Sequence, residues 1–125
     1  MPAAKKKILI VEDDVFSLRL YSSRFTQEGF DVIETPEGNV VMRLAEQNKP
    51  DIFIVDIMLQ DGNGFEIIKD IRADAAFKKT PIVILSNLGQ ERDIEEGLHL
   101  GANEYFVKSN TRLQEIVDTV KRLVE

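Results

Sequence analysis

Residues 50–72 read PDIFIVDIMLQDGNGFEIIKDIR. Pro50 punctuates the chain, and Ile52-Phe53-Ile54-Val55 is then a short continuous run of β-branched and aromatic residues, the pattern of a strand buried on both faces. Asp56 ends the run. A carboxylate there sits at the carboxyl edge of a strand, where open α/β sheets bind their ligands. The glycines of Gln60-Asp61-Gly62-Asn63-Gly64 permit a tight turn. Phe65, Ile68 and Ile71 then recur at helical spacing over about 64–73. Strand, polar loop and amphipathic helix together make one β/α unit.

The same unit repeats on both sides. Strands are expected at 7–11, 30–34, 51–56, 82–85 and 103–107. Helices are expected at 15–28, about 37–48, 64–73, 90–99 and 111–124. Leu18, Tyr21 and Phe25 share a face of the first helix, which Gly29 stops. Val40, Val41, Leu44 and Ala45 form the apolar side of the second. Thr111 and Gln114 are placed for a capping box at the start of the last, whose buried face is Leu113, Ile116, Val117, Val120 and Val124. Apolar strands alternating with amphipathic helices imply a parallel sheet covered on both faces. Right-handed crossovers leave few topologies. Five units of this length suit an α/β, flavodoxin-like (βα)5 doubly wound sheet of strand order 2-1-3-4-5, with its switch point between the first and third strands.

With 125 residues the chain fits one domain, 1–125, with a real core. It has no cysteine, so disulfides and thiolate chemistry are excluded. No apolar stretch reaches the ~20 residues of a bilayer span. Met1 to Lys7 lead into too short an apolar run for a signal peptide, so a soluble cytoplasmic protein is expected. The net charge of −6 argues against direct nucleic-acid binding, which rests on a basic surface. Lys5 to Lys7 read as a solvated lead-in.

Three strand ends carry the chemistry. Glu12, Asp13 and Asp14 follow Ile8-Leu9-Ile10-Val11, Asp56 follows the third run, and Lys108 follows Tyr105-Phe106-Val107. Asp14 reads as a helix N-cap. The remaining acids repel one another and require a counter-charge, which Mg2+ supplies through hard oxygen ligands. Asp56, costly to bury unpaired, has Lys108 and the metal as partners, and a carboxylate so placed can be a nucleophile that forms an aspartyl phosphate. Ser86, ending Ile82-Val83-Ile84-Leu85, is a candidate donor to a phosphoryl oxygen. Met58 and Leu88 are apolar residues that either simply flank the site or limit water access to a phosphoryl group. Neither a P-loop nor a GxGxxG follows the first strand, which disfavours nucleotide binding. His99, the one histidine, has no companion for a zinc site, and an exposed or partly packed position is expected.

The segments ILIVEDD (8–14), PDIFIVDIMLQDGNGFEIIKDIR (50–72) and PIVILSNLGQERDIEEGLHLGANEYFVKS (81–109) resemble, in order and spacing, the receiver domain of two-component response regulators over nearly the whole chain. The resemblance implies a phosphoacceptor signalling switch rather than a conventional enzyme. Asp56 would take a phosphoryl group from a histidine kinase or phosphotransfer protein. Asp13 would bind Mg2+ directly, Glu12 through water or a more flexible contact, and the Met58 carbonyl would complete the protein ligands. Lys108 would contact a phosphoryl oxygen. Ser86 and Tyr105 would be the switch pair, relaying to a downstream protein target through the face of the fourth helix, fifth strand and fifth helix, with Arg92, Glu95, Glu96, Arg112 and Lys121 on it. A monomer or weak dimer is expected.

Three positions depart from that family pattern. Ser109 stands where proline usually follows the lysine, so a trans peptide is expected. Asn87 replaces a small residue after Ser86. Gln60 replaces a common proline, leaving the loop after Asp56 less constrained. Met1 and the complete last helix favour a stand-alone receiver over a fragment of a longer regulator. The alternative is a degenerate receiver acting as a phosphorylation-independent interaction module. A dehalogenase-type phosphatase would need an aspartate where Met58 stands. A flavodoxin-like cofactor binder would need a phosphate loop where this chain has acids.

Overall fold

The structure is a computed structural model that describes residues 5–125; the expectations for Met1 to Ala4 lie outside the described residues. The strands are β1 (Lys7–Val11), β2 (Asp31–Thr35), β3 (Ile52–Val55), the two-residue β4 (Met58–Leu59) and β5 (Gly62–Asn63), β6 (Ile82–Ser86) and β7 (Glu104–Val107). The helices are α1 (Val15–Gln27), α2 (Val41–Asn48), α3 (Gly64–Ala73), α4 (Glu91–His99) and α5 (Leu113–Val124). Short 3-10 turns at Gly38–Val40, Ala75–Phe77 and Lys108–Asn110 join them.

The main sheet is parallel throughout, in the order β2-β1-β3-β6-β7. With the β4–β5 hairpin set aside, this is the expected order 2-1-3-4-5. The central strands β1, β3 and β6 are apolar on both faces because each face meets helices. Leu9, Val11, Phe53, Val55, Ile82 and Ile84 point into one core with Val41, Ala45, Ile68 and Ile71 of α2 and α3. Ile8, Ile10, Ile52, Ile54, Val83 and Leu85 point the other way, against Leu18, Tyr21 and Phe25 of α1 and Ile116, Val117 and Val120 of α5. One step of register would exchange the two sets, so the pairing is strongly specified.

Local chemistry sets the helix starts. The Asp14 carboxylate accepts from the Phe16 N–H (3.3 Å) and the Ser17 hydroxyl (2.7 Å), capping α1 as expected. Asn63 caps α3 through the Phe65 N–H (2.8 Å). At α5 the expected cap is not the one formed. The helix begins at Leu113, the Arg112 N–H reaches the Glu115 carboxylate (3.4 Å), and Thr111 instead donates its hydroxyl to the Val107 carbonyl (2.8 Å). Gln114 donates to Asp118 (2.8 Å). Val40 lies in a 3-10 turn rather than in α2, and it is half-buried.

At the amino ends of β6 and β7, Arg72 on α3 gathers carbonyls instead of a carboxylate. Nε and Nη2 donate to Gly101 (3.1 and 2.8 Å), and Nη1 donates to Phe77 (2.9 Å) and Thr80 (2.7 Å). Nη2 also reaches the Asn103 side-chain oxygen (3.2 Å), which accepts from the Ile82 N–H (2.9 Å). The planar guanidinium thus joins the end of α3, the turn before β6 and the turn before β7.

Candidate phosphoacceptor site

The strand register builds the site. Val11 pairs with Val55, so the next residues of β1 and β3, Glu12 and Asp56, leave the sheet side by side. The Asp56 N–H still bonds the Val11 carbonyl (3.1 Å), and the Glu12 N–H bonds Thr35 (3.2 Å). Ser86 pairs with Val107, so Lys108 leaves the sheet one step beyond Ser86. Carboxylate oxygens of Glu12, Asp13 and Asp56 lie within 4.8 Å of one another. The Lys108 ammonium donates to both oxygens of Glu12 (2.8 and 2.7 Å) and to Asp56 (3.1 Å).

Burial makes this cluster tense. Glu12 and Asp56 are 2% and 5% exposed. Desolvation, with the neighbouring Asp56 carboxylate, pushes the Glu12 carboxyl up to about 8, against the pull of Lys108. Burial opposes the charge on Lys108, yet Glu12 and Asp56 outweigh it and hold its pKa above the ordinary lysine value. With both acids ionised the pocket would hold two buried negative charges against one ammonium, a deficit that a proton on Glu12 or a bound cation makes good. Three hard oxygen donors so close together fit a divalent cation such as Mg2+.

The chain beyond Asp56 is tightly seated. The Met58 N–H donates to Asp56 Oδ1 (3.1 Å), and the Gly64 N–H bonds the Ile57 carbonyl (2.8 Å). A Cβ on Gly64 would lie 2.2 Å from the Asp56 carbonyl oxygen, so only glycine lets α3 approach this closely. Met58 itself is exposed. Ser86 is fully buried, and its Oγ accepts from the Leu88 N–H (3.2 Å). Tyr105, half-buried, donates its hydroxyl to the Leu88 carbonyl, and burial with the nearby Asp93 charge raises its pKa to about 12.

Glu12, Asp13, Asp56 and Lys108 are therefore brought into one cluster, with Met58 hydrogen-bonded to it. Ser86 and Tyr105 converge on Leu88. No cis peptide occurs among the described residues, so Lys108–Ser109 is trans. His99 is exposed. Of the surface charges, Lys121 is drawn away to Glu28, the residue that follows α1, while Arg92, Glu95, Glu96 and Arg112 stand exposed. A feature that inspection of the sequence missed is Asp61, whose carboxylate accepts from the N–H groups of Gly38 and Asn39 (both 3.0 Å).

An open parallel α/β sheet with clustered acids and a lysine at its switch point defines a class of proteins that bind their ligands at the carboxyl ends of the strands. A family model described as "Response regulator receiver domain" matches residues 8–121. The chain belongs to the response regulator receiver domain family, the signalling-switch module of two-component systems. It is similar to the probable transcriptional regulatory protein SilR of Salmonella typhimurium, at 41% identity over 82% of this chain and 44% of that protein. It is also similar to the alkaline phosphatase synthesis transcriptional regulatory protein PhoP of Bacillus subtilis, at 35% identity over 82% of this chain and 42% of that protein. The chain thus spans less than half the length of these two relatives. Among solved structures, the BeF3-activated N-terminal receiver domain of RstA from Klebsiella pneumoniae superposes with a TM-score of 0.89, at 27% identity over 96% of this chain and 99% of that one. Among the described residues no helix is long and apolar enough to cross a membrane.

Proposed function

We propose that residues 1–125 form a single receiver domain, cytoplasmic in setting, that takes a phosphoryl group onto Asp56 and changes its surface for a downstream protein partner. The observation that carries this reading is the contact of Lys108 with Asp56, at 3.1 Å, beside the Glu12–Asp13 pair. Asp13, Asp56 and the Met58 carbonyl would hold Mg2+, with Glu12 assisting through water. When bound, the cation neutralises charge on the phosphoryl oxygens and on the crowded acids.

The residues then divide the work. An Asp56 oxygen attacks phosphorus, the P–N bond of a donor phosphohistidine breaks, and its electron pair returns to the imidazole nitrogen. Lys108 shifts from Glu12 towards a phosphoryl oxygen and stabilises it by charge. Ser86 leaves the Leu88 N–H to donate its hydroxyl to another phosphoryl oxygen. Tyr105, on the Leu88 carbonyl, reports that movement to the face made by α4, β7 and α5. The altered conformation is favoured on phosphorylation by the difference between these new contacts and those given up. Hydrolysis of the acyl phosphate resets the protein. Partners implied are a histidine kinase or phosphotransfer protein and a protein target, with the chain a monomer or weak dimer.

Intact mass after incubation with acetyl phosphate tests the reading. Wild type gains one phosphoryl group only with Mg2+, and Asp56→Asn gains none. If wild type gains none and beryllofluoride with Mg2+ also fails to bind, the phosphorylation switch is wrong and a partner-binding module remains.

A further inference from the structure

Gln60 and Asp61 form the two-residue turn of the β4–β5 hairpin, between the pairs Leu59–Gly62 and Met58–Asn63. Neither turn residue has a positive φ. Two-residue hairpins favour the primed turns, which need positive φ, because other turns splay the strands. The hairpin also lacks the proline that would stiffen it at Gln60. Left to its local geometry, this loop would be loose, yet it carries Met58.

The missing constraint comes from a distance. Both oxygens of Asp61 are engaged, one on the Gly38 N–H and one on the Asn39 N–H, at 3.0 Å each. Those bonds hold the Asp61 carboxyl below the usual range although it is exposed. They are the only hydrogen bonds, among the described residues, from the hairpin tip to a remote element. Beside them, the Leu59 and Ile67 side chains close on Gly38, where a Cβ would stand 3.0 Å from each and 3.3 Å from Asp61 Oδ1. At its other end the loop is fixed by the Met58 N–H on Asp56 and the Gly64 N–H on Ile57.

We propose that Asp61 is a positioning residue: by clamping the hairpin tip to the Gly38–Asn39 backbone, it holds the Met58 carbonyl where the divalent cation of the site requires it. This rests on the reading of Met58 as a metal ligand given above. Asp61 lies outside the cluster of Glu12, Asp13 and Asp56, with its oxygens on the Gly38 and Asn39 N–H groups. Loss of the clamp leaves every ligand present but lets one of them wander.

The test is the Mg2+ dissociation constant, followed by NMR titration, and the Mg2+ dependence of acetyl-phosphate phosphorylation, for wild type, Asp61→Ala and Gly38→Val. The valine crowds the clamp without changing any charge. Both variants are expected to bind Mg2+ about tenfold more weakly, in the range for groups that orient a ligand. Phosphorylation at saturating Mg2+ should return to the wild-type rate, so the defect lies in the Mg2+ requirement alone. The weakening should persist in 0.5 M salt, about the regime where long-range charge effects are screened. Wild-type Mg2+ affinity in a folded Asp61→Ala protein overturns the clamp, as does a defect that vanishes in high salt, which would mark Asp61 as a source of negative charge only. If Asp61→Ala does not fold, Gly38→Val decides by the same criteria. Failure of wild type to bind Mg2+ would instead strike the proposed function, and so the two failures are separable.

Discussion

At the residue scale, Glu12 sets an unusual pH dependence. Its carboxyl is raised from 4.5 to about 8 by burial and by Asp56. The folded protein therefore binds a proton that the unfolded chain releases across that window. Stability from this group is complete below about 4.5 and is lost as pH rises through about 8. Urea unfolding in EDTA at pH 5, 6.5 and 8 should show a falling free energy, and a flat profile would contradict the assignment. The lowered carboxyls of Asp14, Glu28 and Asp61 act in the opposite sense, at pH values below the ordinary carboxylate range, and leave this window clear. Because a metal takes the deprotonated acid, Mg2+ binding should release protons below pH 8 and tighten as the pH rises. Calorimetry in buffers of different ionisation enthalpy counts those protons.

At the scale of elements, the junction between β3 and α3 is the least forgiving. Gly64→Ala drives a Cβ to 2.2 Å from the Asp56 carbonyl oxygen and 2.7 Å from the Ile57 Cα, both backbone atoms that cannot swing aside. The variant should lose about 3 kcal/mol or more of stability, by urea denaturation, together with its Mg2+-dependent phosphorylation. The elements themselves were legible in the sequence. Four apolar runs and four amphipathic repeats announce most of the ten elements, because burial on two faces writes itself as continuous apolar sequence. The β4–β5 hairpin was not legible, since strands of two residues have no period to read. The α5 cap was misplaced because Thr111 satisfied a carbonyl four residues back, Val107, instead of the helix end. The strand-end residues Glu12, Asp13, Asp56 and Lys108 could be found because charge at the end of an apolar run is conspicuous. Asp61 could not, because an acid in a polar turn looks solvated, and its partners lie 22 and 23 residues upstream.

At the scale of the molecule, the two ends of the sheet are held by different forces. The carboxyl ends of the strands meet charges that are imperfectly balanced, around Lys108. The amino ends of β6 and β7 are held by Arg72, which satisfies carbonyls on both approaches. Arg72→Met should cost about 2–3 kcal/mol in urea unfolding, because it strands several partly buried carbonyls. Mg2+ affinity should be unchanged, since the lost bonds lie at the far end, and a matching loss of affinity would show that the two ends are coupled. The guanidinium thereby becomes a fulcrum. If the proposed phosphoryl group on Asp56 drew Ser86 and Lys108 towards it, the Arg72 bonds would favour a tilt of β6 and β7 over a slide. Strands of this length make a lever arm of about 15 Å. A tilt of about 5° would then carry the carboxyl ends about 1 Å and leave the opposite rim still, so the displacement would be largest at Ser86 and Lys108 and smallest at the guanidinium.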